Sequence, residues 1–196
     1  MATPPFEWIG GDPSVDFHNT VTWGRGELSE ERLRSPDDVR EWARGARLGR
    51  TAAPGRTTRL LRDALALREA LHRLFAAIAL GRVPARREVA AFNRFLRRAG
   101  AAVNVEPGTT GFRWSFDAAG DFHPVLARVA WSAAHLLASP ELGRLRACAN
   151  PTCGWLFLDR SRRGNRKWCE MRECGNRAKA RRYYRRHRGA AAGSPR

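Results

Sequence analysis

Acidic residues are nearly missing from the last quarter of the chain: from Arg144 onward there are three, Asp159, Glu170 and Glu173, against sixteen arginines and lysines. The first 143 residues carry 20 basic and 16 acidic residues, so +13 of the formal net charge of +17 belongs to the C-terminal stretch. Lysine is scarce too, present only as Lys167 and Lys179. A GC-rich coding sequence accounts for arginine over lysine, but not for acids missing from one region, and that clustering marks a surface suited to polyanions. No run approaches the roughly 20 apolar residues that span a bilayer. The opening MATPPFEWIGG lacks the basic start and apolar core of a secretory leader. No membrane association is expected, and the protein is expected to be soluble and cytoplasmic. Cysteine is absent until residue 148. What remains, 196 residues with 43% hydrophobic content and seven tryptophans, suffices for one substantial core and a small appendage.

The four cysteines, Cys148, Cys153, Cys169 and Cys174, form two pairs with four residues inside each and fifteen between them. Two short loops joined by a longer connection can bring four sulfurs to one point, and Zn2+ in a structural site takes four such ligands in a closed tetrahedron. Neighbouring Arg146, Arg160, Arg166, Lys167, Arg172 and Arg177 favour thiolates. Cys174 is expected to open a helix, whose positive end does the same. The competing reading, two disulfides, belongs mainly to exported proteins. Zn2+ is therefore the expected cofactor. Four cysteines close its coordination shell, and no nucleophile, histidine and acid come together elsewhere, so no enzyme activity is expected.

The fold is expected to be mainly α with a small β-hairpin (α+β). A helical domain over 1–140 is followed by a four-cysteine module over 144–188 that ends in a basic helix, then by a flexible tail over 189–196. A short helix or turn is expected over 14–22. Ser35-Pro36-Asp37-Asp38 starts a helix that Gly49 closes. Leu60, Leu61, Ala64, Leu67, Leu71, Leu74, Phe75 and Ile78 give the 57–80 stretch a one-sided apolar stripe. A helix from Pro84 to Gly100 turns Val89, Phe92, Leu96 and Ala99 inward. The hairpin near 101–116 is read as strands 101–105 and 112–116 around Glu106-Pro107-Gly108. A helix over 123–138 and a strand over 155–158 complete the pattern.

The loop from Asp159 to Lys167 carries Arg160, Arg162, Arg163, Arg166 and Lys167. On the final helix Arg177, Lys179, Arg181, Arg182, Arg185, Arg186 and Arg188 cover an arc of roughly 200°. Asn176, Ala180, Tyr183, Tyr184 and His187 fill the other side, which is able to pack. These cations are the candidate nucleic-acid contacts, with DNA as the expected partner. RNA is the alternative, because charge does not separate the two and Trp155, Phe157, Tyr183 and Tyr184 could stack bases.

The segment CGNRAKARR, with Cys174, Gly175, Asn176 and Arg177, resembles the signature of the CGNR zinc-finger family, and RGNRKWCEMRECGNR before and around it is similar to that family's pattern. GGDPSVDFHNTVTW resembles the opening of the ABATE domain, small residues followed by Leu-Asp-Phe-x-Asn-Thr, with Val15 in place of Leu and His18 where Val is common. The resemblance implies a DNA-binding C-terminal module behind an N-terminal domain described as a stress-induced transcription regulator, which could sense a small-molecule effector. Asp16 and Asn19 carry that motif's polar positions, either as caps of neighbouring backbone or as ligand contacts. His18 beside them is expected to be exposed or structural. A module this small calls for a homodimer or a second contact to gain specificity, though no heptad pattern supplies one.

Overall fold

Leucines spaced three and four apart make α3 (Thr57–Ala79) the central helix: Leu60, Ala64, Leu67, Leu71, Leu74 and Phe75 are buried. The structure is a computed structural model that describes residues 6–24, 30–48, 57–116 and 122–191. Around α3 lie α1 (Pro13–His18), α2 (Pro36–Gly45), α4 (Arg86–Gly100) and α5 (Pro124–Leu137). Three antiparallel strand pairs accompany them: β1 (Val21–Thr22) with β2 (Glu30–Glu31), β3 (Val103–Gly108) with β4 (Gly111–Phe116), and β5 (Leu145–Ala147) with β6 (Leu156–Leu158). A π-helical turn, Met171–Gly175, leads into α6 (Asn176–Ala191). The mainly helical class with small strand pairs is as expected. No helix among the described residues is long and apolar enough to cross a membrane.

Ser35 caps α2 in a reciprocal box with Asp38, whose carboxylate accepts from Ser35 N at 2.7 Å. That helix ends at Gly45, because Arg47 turns left-handed at φ 55° and Leu48 N bonds back to Ala43 O at 3.0 Å. The expected stop, Gly49, lies outside the described residues, and Gly45 itself is glycine because a Cβ there would sit 2.0 Å from the Trp8 ring. The hairpin also differs from expectation. Glu106-Pro107-Gly108 lies inside β3 and the turn falls at 109–110. On α4, Phe92 and Ala99 are buried while Val89 is exposed. The final helix continues to Ala191, past the Arg188 boundary, and 192–196 lie outside the described residues.

The two parts of the chain share one core. Leu145, Leu156 and Leu158 of β5 and β6 join the cluster built from α1, α2, α3 and α5. At roughly 2 kcal/mol for each buried leucine, the strand pair is anchored before any metal is considered. Polar contacts add to this. Asn19 donates from Nδ2 to Leu156 O (2.8 Å) and accepts from Leu156 N at Oδ1 (2.9 Å), so one side chain pairs with both backbone groups of a strand residue 137 positions away. Trp155 Nε1 donates to Val21 O at 2.9 Å, Trp23 N to Cys153 O at 3.2 Å, and Leu158 N to Gly10 O at 2.8 Å.

Asp16 and His18 lie inside this seam. The Asp16 carboxylate accepts from Gly10 N at 2.8 Å, and burial pushes its pKa up to about 7 against the pull of backbone donors at Gly10 and Ile9. His18 is fully buried, with Nδ1 3.0 Å from Asn19 Oδ1 and Nε2 3.0 Å from His72 Nδ1. Burial drives its pKa down to about 3, so it stays neutral at physiological pH. His72 in turn stacks on Trp23, with ring centroids 3.6 Å apart.

Candidate metal centre and basic surface

β5 delivers Cys148 and a tight turn returns the chain to β6. Cys148 N donates to Trp155 O (2.8 Å) and Cys153 N to Asn150 O (3.0 Å). Gly154 completes the turn at φ +68°. A Cβ there would lie 2.5 Å from Trp23 Cβ, so both the conformation and the approach of Trp23 require glycine. The second pair comes from the far side of the loop, with Cys169 ahead of the π-helical turn and Cys174 within it, just before α6 rather than at its first residue.

All four sulfurs lie within 4.8 Å of one another, and the four residues are buried. Cys153 and Cys169 Sγ are 3.6 Å apart, as are Cys169 and Cys174 Sγ. A disulfide needs about 2.05 Å. Four sulfurs bound at about 2.3 Å around one tetrahedral ion stand ~3.8 Å apart. The spacing fits a shared ion and excludes disulfides here; all four cysteines are free thiols. The proton balance agrees. Hydrogen bonds from Cys153 and Cys169 pull the Cys148 thiol down, and donating to it pushes Cys153 and Cys169 up, with burial and the neighbouring sulfur adding to the rise. Asn150 Nδ2 reaches Cys174 Sγ at 3.4 Å, a donor to the thiolate that the bound metal creates. The set fits Zn2+, which these four cysteines would hold.

Residues 11–140, more than half of the chain, match the ABATE family model, described as a putative stress-induced transcription regulator. The chain belongs to the ABATE family. Residues 144–187 match the CGNR zinc finger, so this ABATE protein carries a zinc-binding module after its helical domain. The first description is of a regulator and the second of a zinc finger. A search of curated proteins gives no match.

The expected basic residues divide into three groups. Arg162, Arg163, Lys167, Lys179, Arg182, Arg185 and Arg186 are exposed and have no ion-pair partner among the described residues. Arg160 pairs with Glu141 (2.8 Å), Arg177 with Glu173 (2.9 Å), and Arg181 donates to Asn150 Oδ1 (2.9 Å). Arg166 is different: it packs over the Phe157 ring at 4.2 Å and donates to Trp168 O at 2.9 Å and to Cys169 O. It braces the cysteine loop instead of facing solvent. Of Arg188 only the helical backbone is described.

The side of α6 read as able to pack is left exposed among the described residues. Tyr183 and Tyr184 are exposed, and the helix projects from the cysteine cluster with Arg181–Asn150 as a brace near its root. Sequence reasoning missed Asn150, which touches a metal ligand with one end of its amide and the basic helix with the other. Its place between Cys148 and Cys153 was the available signal.

Proposed function

We propose that this ABATE protein binds duplex DNA through the zinc-held C-terminal module, as a transcriptional regulator, with α6 and the 159–167 loop lying along the phosphates. The observation that carries this reading is the exposed cationic helix fixed at its root by Cys174 and Asn150, with no acid after Glu173. Arginine suits such a surface because its planar fork matches phosphate and guanine edges. Phosphate contacts position the protein, and any sequence preference depends on which of these arginines reach bases. Tyr183 and Tyr184, exposed on the same helix, favour one second reading, stacking on single-stranded or looped RNA. Asp16 and Asn19 are engaged by backbone inside the chain. The cleft between Glu7, Thr22, Glu30 and Arg32 is also lined by Cys153, Cys169 and Cys174, so it belongs to the metal centre and is not assigned to an effector.

Arg182 and Arg186 are exposed and one helical turn apart, so Arg182→Ala with Arg186→Ala removes cations without touching the fold. The expected result is a fall of about two in the slope of log K against log salt for duplex DNA. An unchanged slope places the phosphate contacts elsewhere.

A further inference from the structure

The β3–β4 hairpin has one face without a charge. Its cross-strand pairs alternate between Val103↔Phe116, Val105↔Trp114 and Pro107↔Phe112 on that face, and Asn104↔Ser115 and Glu106↔Arg113 on the other. The root of the apolar face is covered: Trp131 of α5 lies 6.4 Å from Phe116 and 5.6 Å from Trp114, centroid to centroid. Toward the tip the cover ends. Trp114 is 53% exposed, Val105 56% and Phe112 80%.

We propose that this face and the open edge of β4 form a homodimer interface, closed by the same hairpin of a second copy about a two-fold axis near Trp114. Three observations point to a second copy. The first is area. With aromatic side chains of 150–250 Å2, the exposed parts of Phe112, Trp114, Val105 and Pro107 leave roughly 400 Å2 of apolar surface uncovered, the size at which a monomer's patch marks an interface. Doubled by symmetry and extended by strand edge and turn, that reaches about 1,200 Å2, the lower end of specific association, so the dimer is reversible rather than obligate.

The second is the edge. Antiparallel pairs alternate, and Gly108↔Gly111 closes the two-residue turn, so Phe112, Trp114 and Phe116 direct their backbone N–H and C=O away from β3. No strand pairs with that edge among the described residues. The free edge of β3 is blunted by Pro107, which has no N–H; that of β4 is not. A second β4, antiparallel about Trp114, satisfies both rows and continues the apolar face. The third is charge. Copies of a chain at +17 repel each other least where few like charges meet, and the charges of this hairpin, Glu106 and Arg113, pair with each other at 2.7 Å on the opposite face, while Arg128 lies over Phe116 only at the covered root. This surface offers nothing to a polyanion, so the inference stands apart from the nucleic-acid reading.

Sedimentation velocity on the zinc-loaded full chain, from about 1 to about 200 μM, tests it at concentrations spanning a weak interface. The expected result is a concentration-dependent monomer–dimer equilibrium. Phe112→Glu, and separately Trp114→Glu, should weaken it about 100-fold or more, whereas Arg113→Ala on the other face should leave it in place. Phe112 is mostly in solvent, so at concentrations where both are monomers its variant should keep the wild-type melting temperature. A monomer at every concentration overturns the proposal, as does a dimer whose dissociation constant is unchanged in Phe112→Glu. Either result leaves the DNA reading intact if the protein still protects duplex DNA.

Discussion

Replacing Cys169 with serine should lower bound zinc from one ion per chain to nearly none and melt the region around the cysteines, while most of the helical core survives. The four sulfurs converge within 4.8 Å, and their local core is small: Cys148, Cys153, Trp155, Phe157, Cys169 and Cys174, with Ile9 and Trp168 at its margin. So few apolar side chains cannot offset the conformational entropy of the long cysteine loop, and a structural zinc, worth on the order of 10 kcal/mol at neutral pH, supplies the difference. Leu145, Leu156 and Leu158 belong to the main core instead, so the β5–β6 pair should persist without metal. Hydrogen exchange separates the two. The amides of Ala149 and Cys153, bonded to Lys167 O and Asn150 O, should lose protection, while those of α3 and α5 keep theirs. At about 2–4 °C per kcal/mol for a chain this size, losing half the zinc contribution lowers the melting temperature by about 10–20 °C. Retention of stoichiometric zinc by Cys169→Ser would refute the four-cysteine site.

The second large effect is expected at Asn19→Ala. Asn19 is 2% exposed and its amide makes three contacts: Nδ2 donates to Leu156 O, and Oδ1 accepts from Leu156 N and meets His18 Nδ1. Alanine leaves a buried N–H and a buried C=O of β6 without partners, at about 1–3 kcal/mol each, and opens a small void. A loss of ~3–5 kcal/mol is expected in urea unfolding. Because Asn19 lies in α1's flank and Leu156 between the cysteine pairs, the loss should also loosen the metal region, seen as faster zinc transfer to a chelator. A cost under about 1 kcal/mol with unchanged zinc transfer would show that the leucines alone hold the two parts together.

Much of this was legible in the sequence because it depends on local spacing. The α3 stripe and the Ser35 cap need only neighbours within a few residues, and the cysteine pairs announce a shared ion by their grouping. What was not legible depends on distance along the chain. Nothing near His18 says that it meets His72, 54 positions away, and nothing near Asn19 says that it pairs with Leu156. For the same reason Arg166 read as one more surface cation, though its guanidinium spans Phe157 and the carbonyls of Trp168 and Cys169. The hairpin boundaries slipped because Pro107 reads as a turn former. It is admissible inside β3 because its nitrogen faces the open edge, where no ladder bond is needed. Periodicity predicted a packing side for α6, and among the described residues its Tyr183 and Tyr184 stay exposed.

The central claim, that a zinc-anchored basic helix binds duplex DNA, is tested most directly by competition. Zinc-loaded protein is bound to genomic duplex fragments at near-physiological salt, against excess structured RNA and with a chelator-treated sample in parallel. A few duplex sites are expected to resist the competitor and to be lost when zinc is removed. Preferential retention of RNA, or duplex binding that is the same with and without zinc, would contradict it.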